Sequence, residues 1–182
     1  MEKKKSKLKS LLSVQEFGIF IIFLVLCIVI GCISPKFFKL ANLINILRQI
    51  SNVGIMAVGE AMVIIIAGID LSISAILSLS ACTAAVLAQY MNPWIAVLIA
   101  LLVGGGVGML NGLLSVKIGI APFIATLGTQ MMAKGVAFMI TKGIPVKFQN
   151  SASILGGGRI ALGNGIQIPV PIIFLIIIYT IG

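Results

Sequence analysis

Histidine is absent from this sequence, and acidic side chains number only four: Glu2, Glu16, Glu60 and Asp70. Without an imidazole, His-dependent acid–base chemistry and His-ligated metal sites are excluded. The two carboxylates in or beside apolar runs, Glu60 and Asp70, have no partner spacing that suggests hydrolysis. Charge of either sign is scarce too: charged residues make up 9% of the chain and hydrophobic residues 60%. A soluble domain is typically about a quarter charged, so there is too little polar surface here to coat a water-soluble globule. Lipid is the solvent this composition calls for. Cysteine is limited to Cys27, Cys32 and Cys82, all within or at the ends of apolar runs and without metal-like spacing. They read as small apolar packing residues, and no disulfide framework or metal site is expected.

What charge there is clusters. Lys3, Lys4, Lys5, Lys7 and Lys9 precede the first apolar run, and the positive-inside rule makes residues 1–16 a basic cytoplasmic tail rather than a nucleic-acid-binding arm. Lys36, Lys39, Arg48, Lys142, Lys147 and Arg159 would mostly fall on the other side, so orientation rests on the tail. The run FGIFIIFLVLCIVIGC has the look of a signal peptide, and VIGC at 29–32 of a lipoprotein box. Several further spanning-length runs follow instead of a soluble domain, which argues against cleavage.

A crossing helix needs about 20 mainly apolar residues. Residues 17–182 are therefore read as a transmembrane domain, an all-α polytopic helical bundle. The spans are expected at 17–34, 53–69, 72–90, 94–116 and 123–140, with a truncated sixth from 168, which leaves the domain incomplete at its C-terminus. Between the first two spans, KFFKLANLINILRQISN has Leu40, Leu43, Ile44, Leu47 and Ile50 on one helical face and Asn42, Asn45, Gln49 and Asn52 on another. That predicts a separate amphipathic helix, either along the membrane interface or packed as a connector. Residues 141–167 are polar and glycine-rich and read as an outer loop. Gly156, Gly158 and Ala161 graze a dinucleotide-loop pattern but lack the strand and helix it requires, leaving turn glycines.

Polar groups inside spans are costly in hydrocarbon and mark function or buried pairing. Thr126, Gln130 and Lys134, spaced by four with Thr129 adjoining, predict one stripe that faces either a substrate path or a neighbouring helix. Glu60 and Lys134 fall at similar depth and suggest a buried ion pair. Gly104, Gly108 and Gly112 form a ridge for close helix packing, answered by a face of Ser74, Ser78, Ala81 or Cys82, and Ala85. In AGIDLSISA, Gly68 relaxes the chain while Asp70, Ser72 and Ser74 are placed to engage freed backbone groups. The segment is either an interfacial turn or a helix broken inside the membrane.

Two stretches carry a resemblance. NLINILRQISNVGIMAVGEAMVIIIAGIDLSISAILSLS and APFIATLGTQMMAKGVAFMITKGIPV resemble the N-terminal half of the membrane permeases of sugar ABC importers, the ribose/xylose/galactoside type. Ala67, Ser74 and Ala75 depart from a glycine, a glycine and a serine of that pattern. Lys134 stands for the usual arginine, and Glu60 is not an expected acid. The resemblance implies a non-enzymatic permease of a bacterial inner membrane that passes a monosaccharide. Its partners would be a second permease copy or paralogue, a cytoplasmic ATP-binding subunit and an extracytoplasmic sugar-binding protein. This chain itself has no P-loop, so ATP as a cofactor would belong to the partner subunit. Asp70, Ser72, Ser74, Thr126 and Gln130 would offer weak polar contacts along the substrate path. The chain stops before the later segment that grips the ATPase, which implies a fragment or a truncated gene product. The competing expectations are a self-contained ion-coupled transporter or channel, and an inactive truncated permease.

Overall fold

The computed structural model describes residues 15–148, 150–161 and 167–181; the lysine cluster of the tail lies outside them. The chain divides into two compact units, Met1–Ile46 and Leu47–Gly182.

In the first unit, helix α1 (Gln15–Ile33) is apolar on every side. It stops ahead of Pro35, whose ring disfavours helical backbone in the residue before it. A run of turns follows, with Phe37 N–H donating to Ser34 O and the Asn42 amide donating to Phe37 O at 2.8 Å. Phe37 and Phe38 stand edge to face, their ring centroids 5.0 Å apart.

Helix α2 (Leu40–Ile65) runs without interruption for 26 residues. The separate amphipathic helix over 36–52 is therefore corrected: its polar face and the second span are consecutive parts of one helix. Nothing between them breaks the backbone, and Ser51, the one polar residue buried at the seam, turns its hydroxyl back to Leu47 O at 2.7 Å, the local bond open to a helical serine.

Helix α2 ends in a Schellman turn. Ala67, at φ 58°, donates to Ile64 O, and Gly68 N–H reaches Val63 O, the paired bonds of that motif. Helix α3 (Ile73–Leu87) begins five residues later. Helix α4 (Pro93–Val116) opens with Asn92 accepting from Trp94 N–H and a proline at its first position, where the missing N–H costs nothing. Helix α5 (Pro122–Thr141) closes on Lys142 in the left-handed region. The polar stretch after it holds a 3₁₀ turn (Ser151–Ser153), a single-turn helix α6 (Ile154–Gly157) and an antiparallel pair, β1 (Arg159–Ala161) with β2 (Gln167–Pro169), in which Ile160 faces Ile168. Helix α7 (Val170–Ile181) completes the described chain. The short strands were not expected from the sequence. Arg48 Nε donates to Gly156 O at 3.0 Å, joining α2 to the end of α6.

Helices α3, α4 and α5 pack as a trio. Their seam is made mostly of small residues: Ala75, Ala133 and Ala137 form its core with Leu79, and Cys82, Val103 and Val107 pack against it. The distribution of polarity is inverted relative to a water-soluble fold. Ser72, Asn111, Thr126 and Thr129 are buried, whereas large apolar side chains such as Ile65 (82%) and Val116 (81%) are exposed. Small residues at seams and bulky ones outward are what hydrocarbon surroundings select. By length and composition α4 and α5 reach across a membrane, while the apolar parts of α1, α3 and α7 are shorter.

Candidate functional site

The loop between α2 and α3 would leave backbone N–H and C=O groups unpaired, a costly state away from water. Side chains from three helices meet there. Asp70 Oδ1 accepts from both Ser72 N–H, at 2.7 Å, and the Ser72 hydroxyl. Ser72 Oγ in turn accepts from Asn111 Nδ2 of α4 at 2.9 Å, with both residues buried. From α5, Thr126 Oγ1 accepts from Leu71 N–H at 3.1 Å, and its own hydroxyl has Phe123 O at 3.3 Å and Ile69 O at 3.4 Å as acceptors. Asp70 N–H donates to Glu60 Oε1 at 3.4 Å. The break is thus held by α4 through Asn111, by α5 through Thr126 and by α2 through Glu60.

Two hollows flank it. One, of about 290 Å³, is lined by Gly68 and Asp70 of the break, Gly108, Asn111 and Gly112 of α4, and Thr126 of α5, with apolar walls from residues such as Val63 and Pro122. The other, of about 360 Å³, is a more open groove with Glu60, Asp70, Leu71 and Ser74 on its walls. Asp70 borders both. Two buried polar atoms find no hydrogen-bond partner among the described residues: Glu60 Oε2 and Asn111 Oδ1.

Of the residues singled out in the sequence, Asp70, Ser72 and Thr126 are brought together, and Ser74 sits on the groove beyond them. The polar stripe of α5 does not face one way. Thr126 and Thr129 are buried, Gln130 is partly buried and Lys134 is exposed. The inward face of α5 is instead Ala125, Thr126, Thr129, Ala133 and Ala137. A spacing of four advances 400° around a helix with 100° per residue, so each step drifts 40° and the third member leaves the face. Glu60 and Lys134 form no ion pair: among the described residues Glu60 reaches only the Asp70 amide, and Lys134 is exposed.

The glycine ridge also divides. A Cβ on Gly104 would lie 2.6 Å from Ser80 Oγ, so that position packs closely, whereas Gly108 and Gly112 have nothing within 4 Å and open onto the cavity. The packed face of α3 is Ala75, Leu79 and Ala85, with Ser74, Ser78 and Ala81 exposed. Asn111 was missed by sequence reasoning. Its signal was available as the lone carboxamide in a 24-residue apolar helix.

The arrangement gathers hydrogen-bonding groups around the break, and no metal-ligating cluster occurs among the described residues. Residues 42–181 match the family model described as branched-chain amino acid transport system / permease component. The chain belongs to that permease family. It is 35% identical to the ribose import permease protein of Haemophilus influenzae over 90% of this chain and 51% of that relative. It is 36% identical to the D-allose transport system permease protein of Escherichia coli, covering 92% of this chain and 51% of the relative. With the galactose/methyl galactoside import permease protein of Escherichia coli the identity is 34%, over 82% and 50% respectively. The chain thus spans about half the length of the curated relatives it matches. No solved structure matches it.

Proposed function

We propose that this chain acts within the permease subunit of an ATP-binding-cassette importer for a monosaccharide, as a multi-pass protein of a bacterial inner membrane with its N-terminus in the cytoplasm. The observation that carries the reading is 34–36% identity to permeases named for ribose, allose and galactoside import, over 82–92% of this chain. In this reading five helices cross the bilayer, α3 among them with its flanking turns. A second permease copy or a paralogue completes the conduit. A cytoplasmic ATP-binding subunit hydrolyses the nucleotide and an extracytoplasmic binding protein delivers the sugar, so the chain itself is not an enzyme.

Asp70, Ser72, Ser74, Thr126 and Gln130 supply hydrogen-bonding groups that a hydroxylated solute exchanges for water during passage. Such contacts must be weak individually, because a solute held tightly in its ground state would not leave. Deleting the gene from its host and measuring uptake of labelled ribose, allose and galactose tests the proposal. Uptake of at least one should be lost and restored by the gene, and should follow ATP supply. Undiminished uptake of all three would refute it. A second reading, an ion-coupled carrier, draws on the buried Glu60 Oε2, which has no partner among the described residues. It requires uptake to collapse when an uncoupler is added at constant ATP.

A further inference from the structure

The cavity beside the α2–α3 break has features that the architecture alone does not require. Helix packing does not call for glycine at Gly108 or Gly112, since an added Cβ meets nothing within 4 Å at either; a side chain there would grow into the hollow it lines. Asn111 is 6% exposed and holds Ser72 with its amide nitrogen, yet its amide oxygen has no donor among the described residues. Asp70 spends Oδ1 on Ser72, and Oδ2 receives no donor among the described residues. Asp70 therefore brings an acceptor with unused capacity to the cavity wall, while Val63, Ile66, Ile69 and Pro122 make other parts of the lining apolar.

The volume, about 290 Å³, sits at the lower end of the roughly 300–1,000 Å³ of small-molecule pockets. An acyl chain would fill the apolar part but leave the Asp70 carboxylate desolvated and its free oxygen unpaired, which is unfavourable. A compact molecule with hydroxyls on one side and C–H groups on the other satisfies both.

We infer that this cavity is a monosaccharide subsite within a single permease chain, with Asp70 as the hydroxyl acceptor, Asn111 as the residue that positions Asp70 through Ser72, and Gly108 and Gly112 as its floor. It rests on the sugar-permease reading above and adds where the solute pauses.

The test uses the gene restored to its deletion host. Gly112→Leu fills the cavity. Gly105→Leu places the same side chain on the same helix at a position that also has nothing within 4 Å and does not line it. At equal membrane abundance, the maximal uptake rate should fall tenfold or more for Gly112→Leu and stay within twofold for Gly105→Leu; equal rates overturn the inference. Gly112→Cys, a smaller change, gives an independent readout should the leucine variant fail to accumulate. Its labelling by a small membrane-permeant thiol reagent, compared with the unsubstituted protein to account for the native cysteines, should slow at least tenfold in saturating transported sugar and be unaffected by a disaccharide. Labelling indifferent to sugar, as an acyl-filled hollow would give, overturns the subsite. Wild-type uptake lost on gene deletion, alongside a failed protection experiment, would leave the permease reading standing and remove only this one.

Discussion

Asn111 Nδ2 lies 2.9 Å from Ser72 Oγ, so a carboxamide near the end of α4 grips the residue that starts α3, 39 positions earlier in the chain. Ser72 passes the grip to Asp70. Removing the amide leaves Ser72 without that donor and opens a small void. Asn111→Ala should lower stability by about 1 kcal/mol, within the roughly 0.6–1.7 kcal/mol found for interhelical polar contacts in membranes. Thermal unfolding of the purified protein in detergent measures it, and an unchanged midpoint would show that the contact is energetically idle.

Thr126 serves the same break from α5. Thr126→Val keeps the shape and deletes the oxygen that accepts from Leu71 N–H, leaving a partly buried backbone donor unpaired at a cost of about 1 kcal/mol. Thr126→Ser retains the oxygen and should recover at least half of the loss. If valine and serine variants unfold alike, the hydroxyl is not what holds the loop.

Ala67 adopts φ 58° at the end of α2. A left-handed backbone costs a non-glycine residue roughly 1–2 kcal/mol, so Ala67→Gly should stabilise the chain by about 1 kcal/mol. One residue on, Gly68→Ala should do the reverse, since its Cβ would lie 2.9 Å from Val63 Cγ1 and 3.2 Å from Val63 O. Opposite shifts in the thermal midpoint at adjacent positions are the expected signature.

The three ridge glycines should respond differently to alanine. Gly108→Ala and Gly112→Ala replace a poor helix former with a good one in open space and gain up to about 1 kcal/mol. Gly104→Ala drives a methyl against Ser80 Oγ and should lose stability, recovered by Ser80→Gly. Three equal effects would mean that the ridge packs as a unit.

Glu60 and Lys134 share no partner, so reversing both charges should not rescue what either single reversal loses. The double-mutant coupling is expected to fall within about 0.5 kcal/mol of zero. Glu60→Gln keeps an acceptor for the Asp70 amide and should accumulate in membranes at close to the unsubstituted level, whereas Glu60→Leu should not.

The long apolar runs and their punctuation made α4 and α5 legible in advance: Asn92-Pro93 and Pro122 mark their starts, and the observed bounds differ from the expected ones by at most one residue at either end. Asp70 and Ser72 were legible as well, because a carboxylate beside a glycine between two apolar runs has few uses. The continuity of α2 was not, since a change of amphipathic character at Ser51 leaves the backbone undisturbed. The strands were hidden because three residues each, in a glycine-rich stretch, show no alternation to read. Asn111 escaped because a single polar residue has no periodicity; only its meeting with Ser72 gives it a role. The drift of the α5 stripe shows the limit of spacing arguments when the inward face is decided by what lies opposite.

The seam between α3 and α5 is lined by Ala75, Ala133 and Ala137, with Leu79 as its single large side chain. What fastens these helices to their neighbours directionally lies at one end, where Ser72 meets Asn111 and Leu71 meets Thr126. A bundle hydrogen-bonded at one extremity and packed mostly through small side chains along its length resists translation at the pin and yields most at the far tips. Rocking of α3 would therefore pivot near Ser72, sweeping the Ala85 end through the widest arc while the polar knot stays still.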